Sequence, residues 1–516
     1  MENIFPSILK YRAFTHPERI AYVLEGNKIS YSQYYSESLL ISFYLKSLGI
    51  NKGDRIGILD LNSSQAVNLI SGAMLIGVIP VSLNWRSIPS EIAFVAEDAG
   101  VNHFFYGAMF AKGIEAANFS DKVHIHEIEK LDYSSQIKNR EVADTAISFE
   151  DTCVILYTSG TTGNPKGVML SYKNIYTCYT LCTADTPSFG PDTRNLVCGP
   201  LYSIFGFGAF FSIIYAGGTN ILIRMFEPNL VCKTIVEEKV SNALLVPIMI
   251  RTILSIEGVE KMDFSALKHI QYGGSPISPD VLVNASKVFN CYFTQVYGLT
   301  ESTGVASSLR YDDHSKILNG TEIQNNSLLM SAGKVGIGIE IQVLDQEGNI
   351  ATTKEPGEIY IRGNNIAKGY WNRKEETADQ FLHNGWFKTG DMGFLNDEGF
   401  LFLVDRKNDM IVSKGMNIFP AEVEKILEQH PQIKEVAVVA IPDESFGEGV
   451  CAVTVLKDGE LTLIELRNWC KGKLADHKLP IKLEIRTELP RNPTGKVLRR
   501  LIKETFWKNE NRKIKG

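Results

Sequence analysis

Cysteine is scarce: eight residues in 516, with no CxxC pair among them. That argues against a disulfide framework and against paired-thiol redox or zinc motifs, and it fits a reducing, cytoplasmic setting. Cys178 and Cys182 fall on one helix face, where core packing is the expected role. A positive field is lacking too. Lys and Arg total 53 against 59 Asp and Glu, a formal charge of −6, so nothing overall draws nucleic acid or an anionic membrane surface. Long hydrophobic runs are absent. The most apolar stretch, residues 201–216, stops between Pro200 and Gly217-Gly218. It is shorter than the roughly 20 residues a membrane span needs, so a buried helix is expected. The start, MENIFPSILKYRAF, has no basic segment followed by an apolar one, and the end, KIKG, matches no peroxisomal or lipidation signal.

What is present is ordinary globular composition, 44% hydrophobic and 22% charged, over a length that calls for more than one core. Helical apolar spacing at 31–48 and 65–76 alternates with short apolar runs at 56–59 and 78–83. The same rhythm returns with strands at 242–246 and 270–273 and a helix at 279–289, where Ser278 is the expected N-cap. Strands separated by helices predict layered α/β subdomains with parallel sheets. After about residue 330 the chain changes to short strands (339–344, 358–362, 400–404) punctuated by turns, which predicts a small antiparallel or barrel-like unit. Beyond Asp405-Arg406 come a helix at 420–429, a strand at 436–441, a helix at 463–474 opened by a Thr462/Glu465 capping box, and a strand at 481–486. The expected division is therefore residues 1–404, with 330–404 barrel-like, and a small α+β domain at 405–516.

Five clusters carry chemistry. An apolar strand at 154–157 runs into Thr158, Ser159, Gly160, Thr161, Thr162, Gly163, Asn164, Pro165, Lys166 and Gly167. Glycines that let backbone N–H groups converge, four hydroxyls and one ammonium suit a polyphosphate. Pro165-Lys166-Gly167 stands where a Walker A loop needs Gly-Lys-Ser/Thr, so the loop is of another kind. Second is Gln295, Val296, Tyr297, Gly298, Leu299, Thr300, Glu301: a ring that stacks on a base and an acid that holds Mg²⁺ against phosphates, though alone this is also any strand end. Third, Asp391 closes Trp386-Phe387-Lys388-Thr389-Gly390-Asp391 and can accept hydrogen bonds from both ribose hydroxyls. Fourth is Asp405-Arg406 with Lys414-Gly415, and fifth is the segment 490–496 ending in Lys496. Each of these last two, taken singly, reads as a solvated basic loop.

Taken together, in this order and over residues 157–496, the clusters resemble the superfamily of acyl-CoA synthetases, nonribosomal-peptide adenylation domains and beetle luciferases. The resemblance implies a large N-terminal domain of two α/β subdomains plus a barrel, and a small mobile C-terminal domain hinged at Asp405. It implies a phosphate loop at Thr158–Thr162 and Lys166, with Thr161 and Glu301 linked to Mg²⁺. It places Gly273, Gly274 and Ser275 beside adenine and acyl group, Gln295, Tyr297 and Gly298 along the adenine, Thr300 at the α-phosphate, and Asp391 and Arg406 at the ribose. It makes Lys496 the bridge between carboxylate and α-phosphate, and puts Lys414 and Gly415 in the loop that faces the thiol step. Tyr202, Ser203, Phe205, Gly298 and Thr303 fall on its acyl pocket. The implied reaction uses ATP and Mg²⁺ to adenylate a small carboxylic acid. The acyl group then goes to coenzyme A or, in the alternative reading, to the phosphopantetheine arm of a carrier protein. A monomer or homodimer is expected, with no nucleic-acid partner.

Two departures stand out. Ser203 occupies the position where relatives carry a histidine within a Pro-Leu-aromatic-His segment. Either a hydrogen bond to substrate or simple room-making would account for it. Amino-acid-activating relatives place an aspartate near here, yet residues 201–207 contain no acid. An α-ammonium would lie unpaired in an apolar site, which disfavours an amino acid substrate. Phe205, Phe207 and Phe211 fit an apolar pocket wall or a core helix equally. A catalytically dead nucleotide-binding regulator is the contrary reading. Retention of Lys166, Glu301, Asp391, Arg406 and Lys496 speaks against it, and nothing in the chain calls for luciferase-like oxygen chemistry.

Overall fold

The computed structural model describes residues 4–133, 145–158, 165–186, 189–275, 277–318, 327–407, 409–413, 416–443, 447–491 and 495–507. The chain forms two compact units. One takes most of the chain up to Ile341 together with Ile361–Phe387, and the other takes Gln342–Tyr360 with the chain from Lys388 onward.

The first unit holds two large sheets. In the six-stranded sheet the order is His124–Glu127, His103–Tyr106, Arg55–Leu59, Ile79–Ser82, Thr152–Thr158, Lys166–Ser171. All neighbours are parallel except the last pair. Its central strands are unbroken runs rather than alternating ones because both faces are covered: every residue of Ile79–Ser82 is buried. The nine-stranded sheet is built on parallel pairs among Thr219–Leu222, Arg194–Val197, Asn242–Leu245, His269–Gly273 and Tyr292–Tyr297. An N-terminal hairpin, Ile20–Leu24 with Asn27–Ser30, extends it on one side.

Helices Tyr31–Ser47, Ser64–Leu75, Tyr172–Asp185 and Ile204–Ala216 lie between the sheets. Their Tyr34, Ile41, Ile70, Cys178 and Phe210 share one buried cluster with Val154 and Leu170 of the smaller sheet and Tyr22, Val197 and Leu222 of the larger. Separate clusters bury the outer face of each sheet. The apolar stretch 201–216 is therefore a core helix, with Phe207, Phe210 and Phe211 essentially inaccessible and the Phe211 ring in contact with both of the others. Of the two readings open for Phe207 and Phe211, the core helix holds: each contributes roughly 2–3 kcal/mol of burial rather than a pocket surface. Cys178 packs in the same core, as expected.

From Ile339 the chain forms a four-stranded sheet in sequential order, Ile339–Leu344, Gly357–Gly363, Trp386–Leu395, Leu401–Arg406. The second unit adds a five-stranded sheet centred on Ile433–Asp443 and Gly447–Leu456. Alternate side chains of these long strands go to opposite faces, Val438 and Val450 to one cluster and Val439 and Cys451 to another, so helices cover both sides. The Thr462/Glu465 capping box is present at Leu463–Cys470, but that helix ends earlier than its apolar pattern predicts, before Gly472 at φ +76°. Ser278 does occupy the N-cap of Pro279–Phe289, yet its side chain makes no capping bond. No helix among the described residues is long and apolar enough to cross a membrane.

Candidate active site

Two of the chemistry-bearing clusters, and the Gly273–Ser275 segment with them, sit at the carboxyl ends of buried strands, the edge at which open α/β sheets bind ligands. Thr158 ends Thr152–Thr158, Gly273 ends His269–Gly273, and Tyr297 ends Tyr292–Tyr297. Gly273 and Val296 are cross-strand partners. Backbones crowd here: a Cβ on Gly273 would stand 2.3 Å from the Val296 carbonyl oxygen, and one on Gly298 2.3 Å from that of Gly304. Only glycine fits either position. Gly274 follows in the left-handed region at φ +81°, and Ser275 is half-buried. Tyr297 is buried, and Gln295 accepts a 3.4 Å hydrogen bond from the Tyr272 hydroxyl.

Thr158 pairs directly with Lys166 in an antiparallel register. The two ends of the glycine-rich segment are thus paired strands, where a Walker loop would lead from a strand into a helix. Lys166 brings positive charge to this end of the sheet. It is only 8% exposed, ion-paired to Glu376, with its ammonium 5.5 Å from the centre of the Tyr370 ring. Ser159, Gly160, Thr161 and Thr162 lie outside the described residues, as do Lys414 and Gly415.

Tyr370 and Glu376 were invisible to motif reading. They reach the site because the segment after Gly363 lies along the Lys166–Ser171 strand: the Trp371 N–H donates to the Gly167 carbonyl at 2.8 Å, and the Met169 N–H to that of Gly369 at 3.0 Å. Asp98 clamps the same segment. Its carboxylate takes the Tyr157 hydroxyl at 2.6 Å and pairs with Arg373 at 2.7 Å, while its carbonyl accepts Trp371 Nε1–H at 3.0 Å. Burial, then the adjacent Asp98 charge, push the Tyr157 phenol well up, so it stays a donor. The Tyr370 hydroxyl stands 2.9 Å from Glu301 Oε1 and 2.7 Å from Gln380 Oε1. Tyrosine has one proton to give. Donating it to the carboxylate and turning the Gln380 amide to present its NH₂ satisfies all three groups. Glu301 itself lies half-exposed with Thr300 in a one-turn 3₁₀ segment, Thr300–Ser302. Its backbone carbonyl accepts from the Ala367 N–H at 2.8 Å.

The expected acyl-pocket residues divide. Ser203 caps the helix Ile204–Ala216, its oxygen accepting from the Gly206 N–H at 3.4 Å and its hydroxyl donating to the Pro200 carbonyl at 2.9 Å. Neither explanation offered for Ser203 anticipated that duty, and serine performs it where histidine does not. Ser203→Ala is expected to cost about 1 kcal/mol of stability, read as a lower urea midpoint at unchanged slope; an unmoved midpoint would show the cap is idle. Tyr202 is buried, and burial raises its phenol to about 12, against the opposing charge of Arg86. Phe205 is half-buried beside Gly199. Thr303 is buried, its hydroxyl committed to the Asn365 carbonyl at 2.6 Å.

Within the second unit, Asp391 and Arg406 are cross-strand partners joined by a 2.5 Å ion pair, with Asp391 buried. Lys496 as a whole residue is exposed. Its ammonium is crowded, however, and desolvation, then the Arg406 charge, pull its pKa down to about 8 against Asp391 and Asp409. Asp405 accepts N–H bonds from Ala421 and Arg406 at 2.9 and 2.8 Å, and burial lifts its pKa to about 6 despite Arg499.

The sequence matches the family model of AMP-binding enzymes over residues 9–371 and that of the AMP-binding enzyme C-terminal domain over 422–496. It is 31% identical to a fatty acid–[acyl-carrier-protein] ligase of Streptomyces coeruleorubidus, over 98% of this chain and 96% of that one. It is also 31% identical to a long-chain-fatty-acid–CoA ligase of Mycobacterium tuberculosis, over 97% and 98%. The structure of o-succinylbenzoate CoA synthetase from Bacillus subtilis, in complex with its acyl-adenylate intermediate, superposes with a TM-score of 0.82 at 29% identity, covering 96% of this chain and 98% of the other. The same synthetase solved with ATP and magnesium gives 0.82 at 30% identity, covering 95% and 98%. Strand-end motifs, an anchored Lys166–Tyr370–Glu301 group and matches along nearly the whole chain agree, and the chain belongs to the AMP-binding enzyme family, the adenylate-forming ligases.

Proposed function

We propose that this chain, an AMP-forming acid–thiol ligase, activates an apolar organic acid and passes the acyl group to coenzyme A. The observation that carries the reading is the Lys166–Tyr370–Glu301 group beside the carboxyl ends of the strands: a buried ammonium and a wet carboxylate held by one tyrosine. A carboxylate is a poor electrophile at neutral pH. Its attack on the α-phosphorus of ATP expels pyrophosphate and turns one carboxylate oxygen into a phosphate leaving group, which a thiol then displaces. The nucleophile is already ionised, so no general base is needed. What is needed is positive charge, because two anions must meet.

Lys166 supplies that charge at the β- and γ-phosphates with Thr158–Thr162, and Lys496 supplies it where carboxylate and α-phosphate meet. Tyr297 stacks on adenine, with Gly273, Gly274, Ser275, Gln295 and Gly298 along it. Thr300 contacts the α-phosphate, and Asp391 and Arg406 hold the ribose. Glu301 fits Mg²⁺: a half-exposed carboxylate, oriented by the Tyr370 hydroxyl, suits a cation that keeps several waters and takes its other oxygens from phosphate, with Thr161 as a second ligand. The ion, when bound, offsets charge on the leaving pyrophosphate. Asp405 is the hinge between an N-terminal domain of 1–404 and a lid of 405–516, and Lys414-Gly415 serves the thiol step. The setting is cytoplasmic.

The acid is fatty or aryl rather than amino, because residues 201–207 place no carboxylate against an ammonium. Likeness to the Streptomyces carrier-protein ligase supports a second acceptor, a phosphopantetheine arm on a carrier protein. Pyrophosphate release across fatty, aryl, dicarboxylic and amino acids, with coenzyme A, with holo-carrier protein and with neither, separates these. Turnover with a fatty or aryl acid and thioester on coenzyme A is expected. Turnover with amino acids alone would overturn the substrate reading, and thioester on carrier protein alone the acceptor.

A further inference from the structure

Lys166 is a buried cation, and its only ion-pair partner among the described residues is Glu376. A buried ammonium left alone is costly, so the lysine needs an anion whether or not nucleotide is present. Its backbone is fixed by the strand pair with Thr158, and its ammonium lies over the Tyr370 ring, so the charge has little freedom to move. Glu376 differs. It stands on a two-turn helix, Lys374–Gln380, none of whose residues is buried, and its side chain is 36% exposed. One partner is anchored; the other can turn out into water.

A triphosphate approaching Lys166 meets Glu376 already there, and two anions cannot share one ammonium in a poorly solvated place without repelling. We propose that Glu376 is a positioning residue that stands in for the phosphate. It holds Lys166 extended over Tyr370 in the nucleotide-free enzyme and gives the ammonium up when ATP binds. Tyr370, bonded to Glu301 as well, keeps the lysine and the metal-linked acid in register through the exchange. This rests on the reading of Lys166 as a phosphate contact.

The measurement is the dissociation constant for Mg-ATP by titration calorimetry without acid substrate, paired with kcat and KM for ATP in pyrophosphate exchange. Glu376→Gln, which keeps shape and loses charge, is expected to tighten ATP binding about five- to tenfold and leave kcat within about twofold. Glu376→Asp restores the charge and is expected to fall back toward the wild-type constant. In a Lys166→Met background Glu376→Gln is expected to change nothing, because the contested ammonium is gone. A glutamate that merely supports its helix would weaken binding in both backgrounds. If Lys166→Met weakens ATP binding while Glu376→Gln leaves it equal or weaker, the stand-in is wrong and the phosphate contact survives. If Lys166→Met leaves ATP binding untouched, both fall.

Discussion

Replacing Lys496 with alanine is expected to slow ATP–pyrophosphate exchange by about 10²–10³-fold, or roughly 3–4 kcal/mol of barrier. The cost is large because the step joins two anions, and an ammonium where they meet acts on charge that the ground state keeps apart. The same residue sets a pH dependence. Desolvation and Arg406 hold the free ammonium at about 8, so kcat/KM for exchange is expected to drop tenfold per unit above that pH as the charge is lost. Bound nucleotide adds negative charge nearby and moves the limb of kcat upward. Lys496→Arg, charged at every accessible pH, removes the limb whatever it does to the rate. For stability the sign is opposite. A base whose folded pKa is depressed leaves the unfolded chain holding more protons between about 8 and the ordinary lysine value, so this group's contribution rises with pH through that window. Exchange unchanged in Lys496→Ala, or a wild-type profile flat past pH 9, would remove the lysine from the chemistry.

Glu301→Gln is expected to lower kcat/KM for exchange on the order of 10²-fold and to raise the Mg²⁺ concentration needed for half-maximal rate about tenfold. The amide keeps the size and the Tyr370 bond but loses the charge that holds a dication. Tyr370→Phe is the informative companion. It leaves the carboxylate and removes the hydroxyl that aims it, so a loss of about fivefold is expected, near the net worth of one hydrogen bond. The Mg²⁺ titration carries the decision, because a merely structural glutamate would lower the rate at every metal concentration without moving the midpoint. An unmoved midpoint in Glu301→Gln would take the acid off the metal.

Much of this was written locally. The helix Pro279–Phe289 begins where proline marks it, and the box at Thr462 and Glu465 forms as spaced. The strand before the glycine-rich loop is buried as its apolar run requires. Lys166, Tyr297, Glu301, Asp391, Arg406 and Lys496 were all named from the sequence, because the motifs in their order resemble the family's pattern. The hairpin Ile20–Ser30 joining the second sheet was not named, and neither was the long strand Gly447–Leu456. For the hairpin, pairing of Ile20–Leu24 with Thr219–Leu222 across about 200 residues leaves no local mark, since a strand's preference is set by its neighbours.

The sequence by itself determined the reaction class: its motifs follow the pattern of a family that activates acids with ATP, and residues 201–207 hold no acidic side chain. The tertiary structure alone decided how those groups are held. Ser203 turned out to be a helix cap, and Phe207 and Phe211 to be core rather than pocket. Tyr370 and Glu376 came to Lys166 from some 200 residues away, because backbone hydrogen bonds lay residues 367–371 along its strand. A motif records which functional groups a reaction demands. The partner that satisfies a buried charge is fixed only when folding removes the water that would otherwise have solvated it.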